Sequence, residues 1–506
     1  MPEVGLTKNQ ILSELSRSAH GKLAEYIPVG QKAAKTEAEF FAHLIAWDAQ
    51  KGQIRDAKVA LPIIALSAAT EPEFIENAFA HVAALGPREL LKAIRYAKAV
   101  PGIRASVRKK LYALVEQYLR SKEKSWDTWQ RIAAQHHKVL KELYALSHTK
   151  PGSDKIRAVL FGEDEKGNKV PLPKGSIFEA IANLKNMTSG EAAGTIMEWK
   201  IPFIVAQGAL GDKIKDGAIV QALIERMSAT ELVTNTAMLE KLGMKDNPIL
   251  RGAFDKALEK AQSSTKNVLK TTRAAENIKN ETVKAQLQGL QDKQLKNMGV
   301  EGNWLVLGDR SSSMSHAIEA SREIAATLAK MVKGKVWLVF FNNSPQTIEV
   351  TGASLDAIKQ ATQYITPNGN TSIGCGLQRM LESKVELDGI AIISDGGDNC
   401  APFFHDAYAK YTKWIDKEVP VYFYQLAGDP PYLVQYMQNA HLDMQVFDLR
   451  TSKTDFYALP NLVKTMRTNR YSLIDEVMAT PLLTLEKVFG SKIQLKKENK
   501  HVQSVA

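Results

Sequence analysis

The chain predicts a multidomain protein: an all-α unit of stacked helices, followed by an α/β doubly wound, Rossmann-like unit. Three observations lead there. Apolar residues recur at three- and four-residue spacing through residues 1–260, the period of amphipathic helices. From residue 303 onward short apolar runs alternate with amphipathic stretches, which is how a mostly parallel sheet covered on both faces is written. The charge divides at the same place. Of the 66 Lys+Arg and 55 Asp+Glu, 21 and 22 fall in 301–506, leaving 45 and 33 in 1–300, so the whole excess of +11 belongs to the helical part. At 506 residues the chain exceeds one ordinary core.

The helical spacing is clear in Leu90-Leu91-Ile94-Ala97, in Val107-Leu111-Leu114-Val115-Tyr118 and in Ile219-Leu223-Ile224-Met227. Breaks fall at Gly86-Pro87, Pro101-Gly102, Pro151-Gly152 and Asn247-Pro248. Successive amphipathic helices without strands predict antiparallel pairs stacked as a HEAT-like α-solenoid, although no clean repeat is visible in the sequence. The composition turns polar from Gln262, and a charged helical stretch to Lys296 reads as a linker helix. The expected domains are therefore 1–285 helical, 286–300 the end of the linker, 301–490 α/β, and 491–506 a lysine-rich mobile tail. Strands are predicted at 303–308, 335–341, 389–394, 419–425 and 443–449, with helices at 315–332, 354–363, 372–383 and 402–416.

The most informative motif is Asp309-Arg310-Ser311-Ser312-Ser313, directly behind the run Asn303–Gly308. A carboxylate and two hydroxyls at alternate positions, at the carboxyl end of a strand, can hold a small hard divalent cation. Mg²⁺ suits such a set because it keeps several waters and takes few carboxylates. Asn370-Thr371-Ser372 follows the turn Pro367-Asn368-Gly369, and Ser394-Asp395-Gly396-Gly397 ends the apolar run Ile390–Ile393. Together these pieces resemble a von Willebrand factor A domain with its metal-ion-dependent adhesion site. The resemblance implies that Ser311 and Ser313 ligate the cation, Thr371 does so directly or through water, and Asp309 and Asp395 supply charge through bridging waters. A partner's carboxylate or phosphate oxygen would complete the coordination. The departure is Gly396-Gly397-Asp398, a looser loop whose acid could compete for the ion. Without a metal these residues would simply cap a helix.

Leu143-Tyr144-Ala145-Leu146-Ser147-His148-Thr149-Lys150-Pro151 and the later stretch Glu231–Leu239 resemble motifs of the TROVE module. A TROVE module followed by a von Willebrand A domain is similar to the Ro autoantigen family. The resemblance implies a monomeric helical ring closed by the A domain, with a basic central hole. It also implies Y-like noncoding RNA and misfolded RNA 3′ ends as partners, in quality control or decay, and an exoribonuclease or other RNA-processing protein beside them. His148 is the motif position carried over to RNA contact. Arg131, His137, Lys138, Lys141 and Lys150 are its basic neighbours, and Arg108 and Lys109 form a second candidate patch, as does the row Arg88, Lys92, Arg95 and Lys98. Lysine and arginine would contact phosphates without reading sequence. His148 could instead end a helix.

No phosphate loop, zinc helix or nucleophile elbow is present, so catalysis is not expected. The alternative function is a protein-docking scaffold in which the metal-dependent A domain holds the partner and RNA binding is incidental. Hydrophobic content of 44% without a long apolar run argues against a membrane span. Two cysteines, Cys375 and Cys400, and an N-terminus without a signal-peptide layout lead us to expect a cytoplasmic protein.

Overall fold

The structure is a computed structural model that describes residues 6–16, 23–52, 55–261, 271, 274–275, 277–426, 432–442, 444–448 and 472–490. The expected tail 491–506 lies outside the described residues. Two compact units emerge, and each draws on separate parts of the chain.

The first unit takes in the described residues of Lys22–Ala257 and of Thr480–Ala506. From Leu23–Thr36 to Trp126–Leu146, each helix packs on the next and also on the one after it. That pattern is the two-layer stacking of a solenoid, in which each pair buries its neighbour's apolar face. Serine and threonine start several helices by accepting a backbone N–H: Ser125 from Thr128, Ser153 from Ile156 and Ser176 from Glu179. Thr188 with Glu191, and Ser228 with Glu231, form reciprocal capping boxes.

A short segment returns to this unit from the far end of the sequence. The buried Asn77 amide donates to the Ala42 carbonyl and accepts from the Leu483 N–H, and His43 donates to the Thr480 carbonyl at 2.7 Å. Residues 480–490 therefore belong to the helical unit, which corrects the expected α/β boundary at 490. The cause is physical: a buried amide needs both partners, and this segment supplies one.

The second unit holds the described residues of Leu6–Gly21 and of Leu258–Ala479. Its six-stranded sheet runs β3 (Gln346–Glu349), β2 (Val336–Phe341), β1 (Trp304–Asp309), β4 (Gly389–Ser394), β5 (Val421–Gln425), β6 (Gln445–Asp448). All pairs are parallel except β2 with β3. Every residue of β1 and β4 is buried, because helices cover both faces. Val306, Phe340 and Ile393 pack under the helix Ser315–Met331, whereas Leu307, Phe341 and Ile392 face the helices Gly374–Glu382 and Phe404–Ile415.

Two further boundaries shift. The helix Lys8–Ser16 packs against edge strand β6 and buries Ile11, Leu12 and Leu15, so it is not part of the helical unit. It covers an edge that would otherwise be open to pairing. The helix Glu281–Met298, expected to be a linker, packs on Ser315–Met331 through buried Leu295, with Asp292 paired to Lys330. It is part of the α/β core. Strand β3 and the helix Tyr432–Asn439 were not expected from the sequence.

Candidate metal centre and basic helical face

After β1 the chain runs outward to β2 and β3, then crosses back to place β4 on the other side of β1. The loops leaving β1 and β4 diverge there and open a crevice at the strands' carboxyl ends, the usual binding place of an open parallel sheet. Asp309 is the last residue of β1, and Ser394 the last of β4. The Ser394 hydroxyl donates to Asp309 Oδ2 at 2.5 Å, joining the two strand ends.

Hydrogen bonds stitch all three motif loops together. Asp309 Oδ1 accepts the Ser311 N–H at 2.8 Å. The Ser312 hydroxyl donates to the Gly369 carbonyl, and Asn368 N–H to the Arg310 carbonyl, which fastens the first loop to the second. Thr371 N–H donates to Asn399 Oδ1, while its carbonyl accepts from Asn399 and Cys400, fastening the second to the third. Buried Arg310 reaches Asn342 and Asn368 and braces the base of this assembly. Thus Asp309, Ser311, Thr371 and Asp395 stand on one connected frame; Ser311 and Thr371 are buried, Asp395 is half-buried and Ser313 is exposed.

The electrostatics favour a cation. Burial pushes the Asp309 carboxyl up to about 6, against its hydrogen bonds from Ser394 and Ser311, and nearby Asp395 adds to the rise. A buried carboxylate beside a second carboxylate and two hydroxyls is a hard-oxygen donor set of the kind a small divalent cation takes, and a cation would favour the ionised form that burial disfavours. Among the described residues no cluster of three or more His, Cys, Asp and Glu could hold a metal, so a cation at this crevice would depend on the hydroxyls beside the two carboxylates.

Asp398 does not loosen this site as expected. It is 1% exposed, and its two oxygens accept the N–H groups of Ile373 and Phe404 at 3.0 and 2.7 Å. Its carboxylate is spent on joining the second and third loops, although burial raises it to about 6. Cys375 is buried and pushed up to about 11, and Cys400 is half-buried.

In the helical unit, Arg131, Lys138 and Lys141 are exposed on Trp126–Leu146, a helix kinked at His136 (φ −133°, ψ 30°), so that Arg131 precedes the kink and Lys138 and Lys141 follow it. The helix ends at Ser147. His148 takes a left-handed conformation at φ 51°, and its N–H and that of Thr149 close onto the Ala145 and Tyr144 carbonyls. The His148 backbone thus ends the helix, as one of the two sequence readings had it, while the residue stays exposed. Lys150 is exposed beside it. The loop is held from below: Glu123 Oε1 accepts both the Tyr144 hydroxyl and the Gly152 N–H.

Other basic candidates are tied up. His137 is half-buried, with Nε2 2.9 Å from the Val159 carbonyl, and joins its helix to Asp154–Phe161. Lys92 pairs with Asp56, and Arg95 Nη2 donates to both carboxylate oxygens of Glu142. Arg108 and Lys109 are exposed in the first turn of Ala105–Glu123. The sequence reading missed an open cavity of about 670 Å³ within this unit, where Arg131 and Gln135 meet Lys122 and Lys487. The four-residue spacing of Arg131 and Gln135 carried part of that signal; Lys487 comes from the returning segment, which local pattern does not place.

No described protein family matches the chain, and no curated protein matches it in sequence. Stacked helices joined to a doubly wound unit with a hydroxyl–carboxylate crevice define a helical-repeat protein that carries a von Willebrand A-like fold. Among solved structures, the chain is similar to the Ro (RSR) protein of Deinococcus radiodurans: the TM-score is 0.59 at 13% identity, over 90% of this chain and 99% of that one. The two chains share a fold. No helix among the described residues is long and apolar enough to cross a membrane.

Proposed function

We propose that this protein is a Ro-like RNA-binding protein, which holds small noncoding RNA and single-stranded ends of misfolded RNA on its helical unit. The observation that carries this reading is the set of exposed basic groups Arg131, Lys138, Lys141, His148 and Lys150, within residues 1–300, which hold the entire charge excess. Exposed, flexible cations suit phosphate contact without base readout. The shared fold supports the family assignment. The reading needs no catalytic step: binding and protection of RNA suffice.

The α/β unit has a separate task in this proposal. Ser311, Ser313 and Thr371 would hold Mg²⁺ or a similar cation, with Asp309 and Asp395 holding its waters. The bound cation supplies an electrophilic position that accepts an oxygen anion from a docked protein. The second reading, a docking scaffold with incidental RNA binding, draws on the same frame of stitched loops and on the near-neutral charge of residues 301–506.

The double variant His148→Ala with Lys150→Ala separates the two. Single-stranded RNA affinity should fall, and the slope of log affinity against log salt should flatten by roughly one unit per phosphate contact removed. The melting temperature should stay within a few degrees, since both side chains are exposed. Unchanged affinity and slope would leave the scaffold reading standing.

A further inference from the structure

Beside the candidate metal centre lies a row of rings that the metal site does not use. Tyr432 stacks on Tyr436 at 6.3 Å between centroids, Tyr436 meets His405 at 5.2 Å, and His405 stacks on Phe403 at 6.0 Å. Tyr436 also meets Phe403 edge-on at 5.9 Å. None of the four is buried, and Tyr432 is 47% exposed. The aromatics of the neighbouring core behave differently: Phe404, Tyr408, Tyr411 and Phe423 are buried.

The row is fixed to the loop that carries Asp395. The Leu433 N–H donates to the Gly396 carbonyl at 2.9 Å, setting the helix that presents Tyr432 and Tyr436. The Phe404 N–H donates to Asp398, setting Phe403 and His405. A second observation points the same way. Among the described residues of the α/β unit, the exposed large apolar side chains are Tyr432 and Tyr364, the latter at 60% on the segment leading into the Gly369–Thr371 loop. Tyrosine is the residue type that interfaces favour, because it offers a large rigid face with a polar tip.

We propose that the row Tyr432–Tyr436–His405–Phe403 is the specificity surface of a protein-docking site. Its occupant is a segment of a partner protein in which an acidic residue stands next to a proline or an aromatic residue. The acid is taken by the metal centre, and the ring lies against the tyrosines. This rests on the docking role proposed above for the α/β unit. Charge selects a peptide over a nucleic acid strand. Asp395 and Asp406, half-buried and exposed, lie on the segments that carry the row and its anchor, and residues 301–506 have no basic excess. A run of phosphates would face these carboxylates, whereas a peptide brings a single carboxylate to the cation.

The test uses the full chain with Mn²⁺ and fluorescein-labelled heptapeptide pools. One pool has a central Asp followed by Pro, Tyr or Phe; the other has Gly or Ser at that place; an oligouridylate serves as the nucleic acid probe. Anisotropy should show the ring-bearing pool binding at least fivefold tighter than the glycine–serine pool. That preference should vanish in Tyr432→Ala with Tyr436→Ala, while metal affinity by calorimetry is unchanged. Tyr432→Ala alone, at an exposed position, should already lose most of it. Equal binding of the two pools overturns the aromatic surface while leaving metal-dependent docking intact. Binding of neither pool overturns both. Oligouridylate binding that is lost in Tyr432→Ala assigns the row to nucleic acid and overturns the peptide.

Discussion

The two units use charge in opposite ways. The helical unit displays it: Arg131, Lys138, Lys141 and Lys150 are exposed, and their proposed task needs only a positive face. The α/β unit buries it: Asp309 is 0% exposed, bonded to Ser394 and Ser311, and raised to about 6 by its burial. Displayed charge costs the fold little, and single substitutions there should alter affinity by small, additive steps. Buried charge is held against a desolvation penalty, so each neighbour matters and a single substitution should act as a switch.

The largest effect should therefore come from the buried side. Asp309→Ala should abolish divalent-cation binding, by at least a hundredfold in calorimetry. Retention of metal affinity would show that the serines and threonine hold the ion without it, and the contrast between the units would weaken.

The pH dependence should come next. The folded carboxyl of Asp309 sits above its unfolded value of about 3.8, so between roughly pH 4 and 6 the metal-free fold binds more protons than the unfolded chain. Its contribution to stability is then present at the low end of that window and lost as the pH rises through it, by up to roughly 3 kcal/mol. Metal needs the ionised form, so cation affinity should drop by up to about tenfold per pH unit below 6. Urea melts of metal-free protein with and without Asp309→Asn check the first point: the variant should lose the share of this pH dependence that Asp309 contributes and keep the share of Asp398, which burial also raises to about 6. A pH-independent metal affinity between 5 and 7 would contradict the second.

The smallest effect should come from His137→Ala. With the imidazole bonded to the Val159 carbonyl, the variant should lose roughly 1 kcal/mol of stability and keep its RNA affinity. A loss of RNA affinity without a loss of stability would return His137 to the basic face.

Much of the fold was legible because its signals are local. Strands β1, β2, β4 and β5 are runs of consecutive apolar residues, and the Asp309 and Asp395 loops follow β1 and β4 directly, whereas the Thr371 loop lies between two helices. Strand β3 was missed because it spans four residues on an edge and alternates between exposed and half-buried positions. The helix Tyr432–Asn439 was missed because it is short and follows Pro430-Pro431. The unit boundaries were illegible for another reason. The amphipathic pattern of Lys8–Ser16 or the Leu483–Leu485 stretch says that a face is buried, but not against which partner. At the candidate sites, sequence placed Asp309 and Asp395 on strand-end loops but could not show that Asp398 spends both oxygens on backbone N–H groups. Nor could it show that His137 turns inward while His148 faces out, since their residue type and basic neighbourhood are alike.

The division of labour between the units is best tested by titrating one single-stranded RNA into three samples: wild type with Mg²⁺, wild type with the metal chelated, and Asp309→Ala. Ionic strength must be matched, since the phosphate contacts depend on salt. The three affinities should agree within about twofold, because the exposed cations of the helical unit do not require the metal centre. A joint loss of RNA affinity in the chelated and Asp309→Ala samples would place the cation in the RNA site and contradict the separation of the two functions.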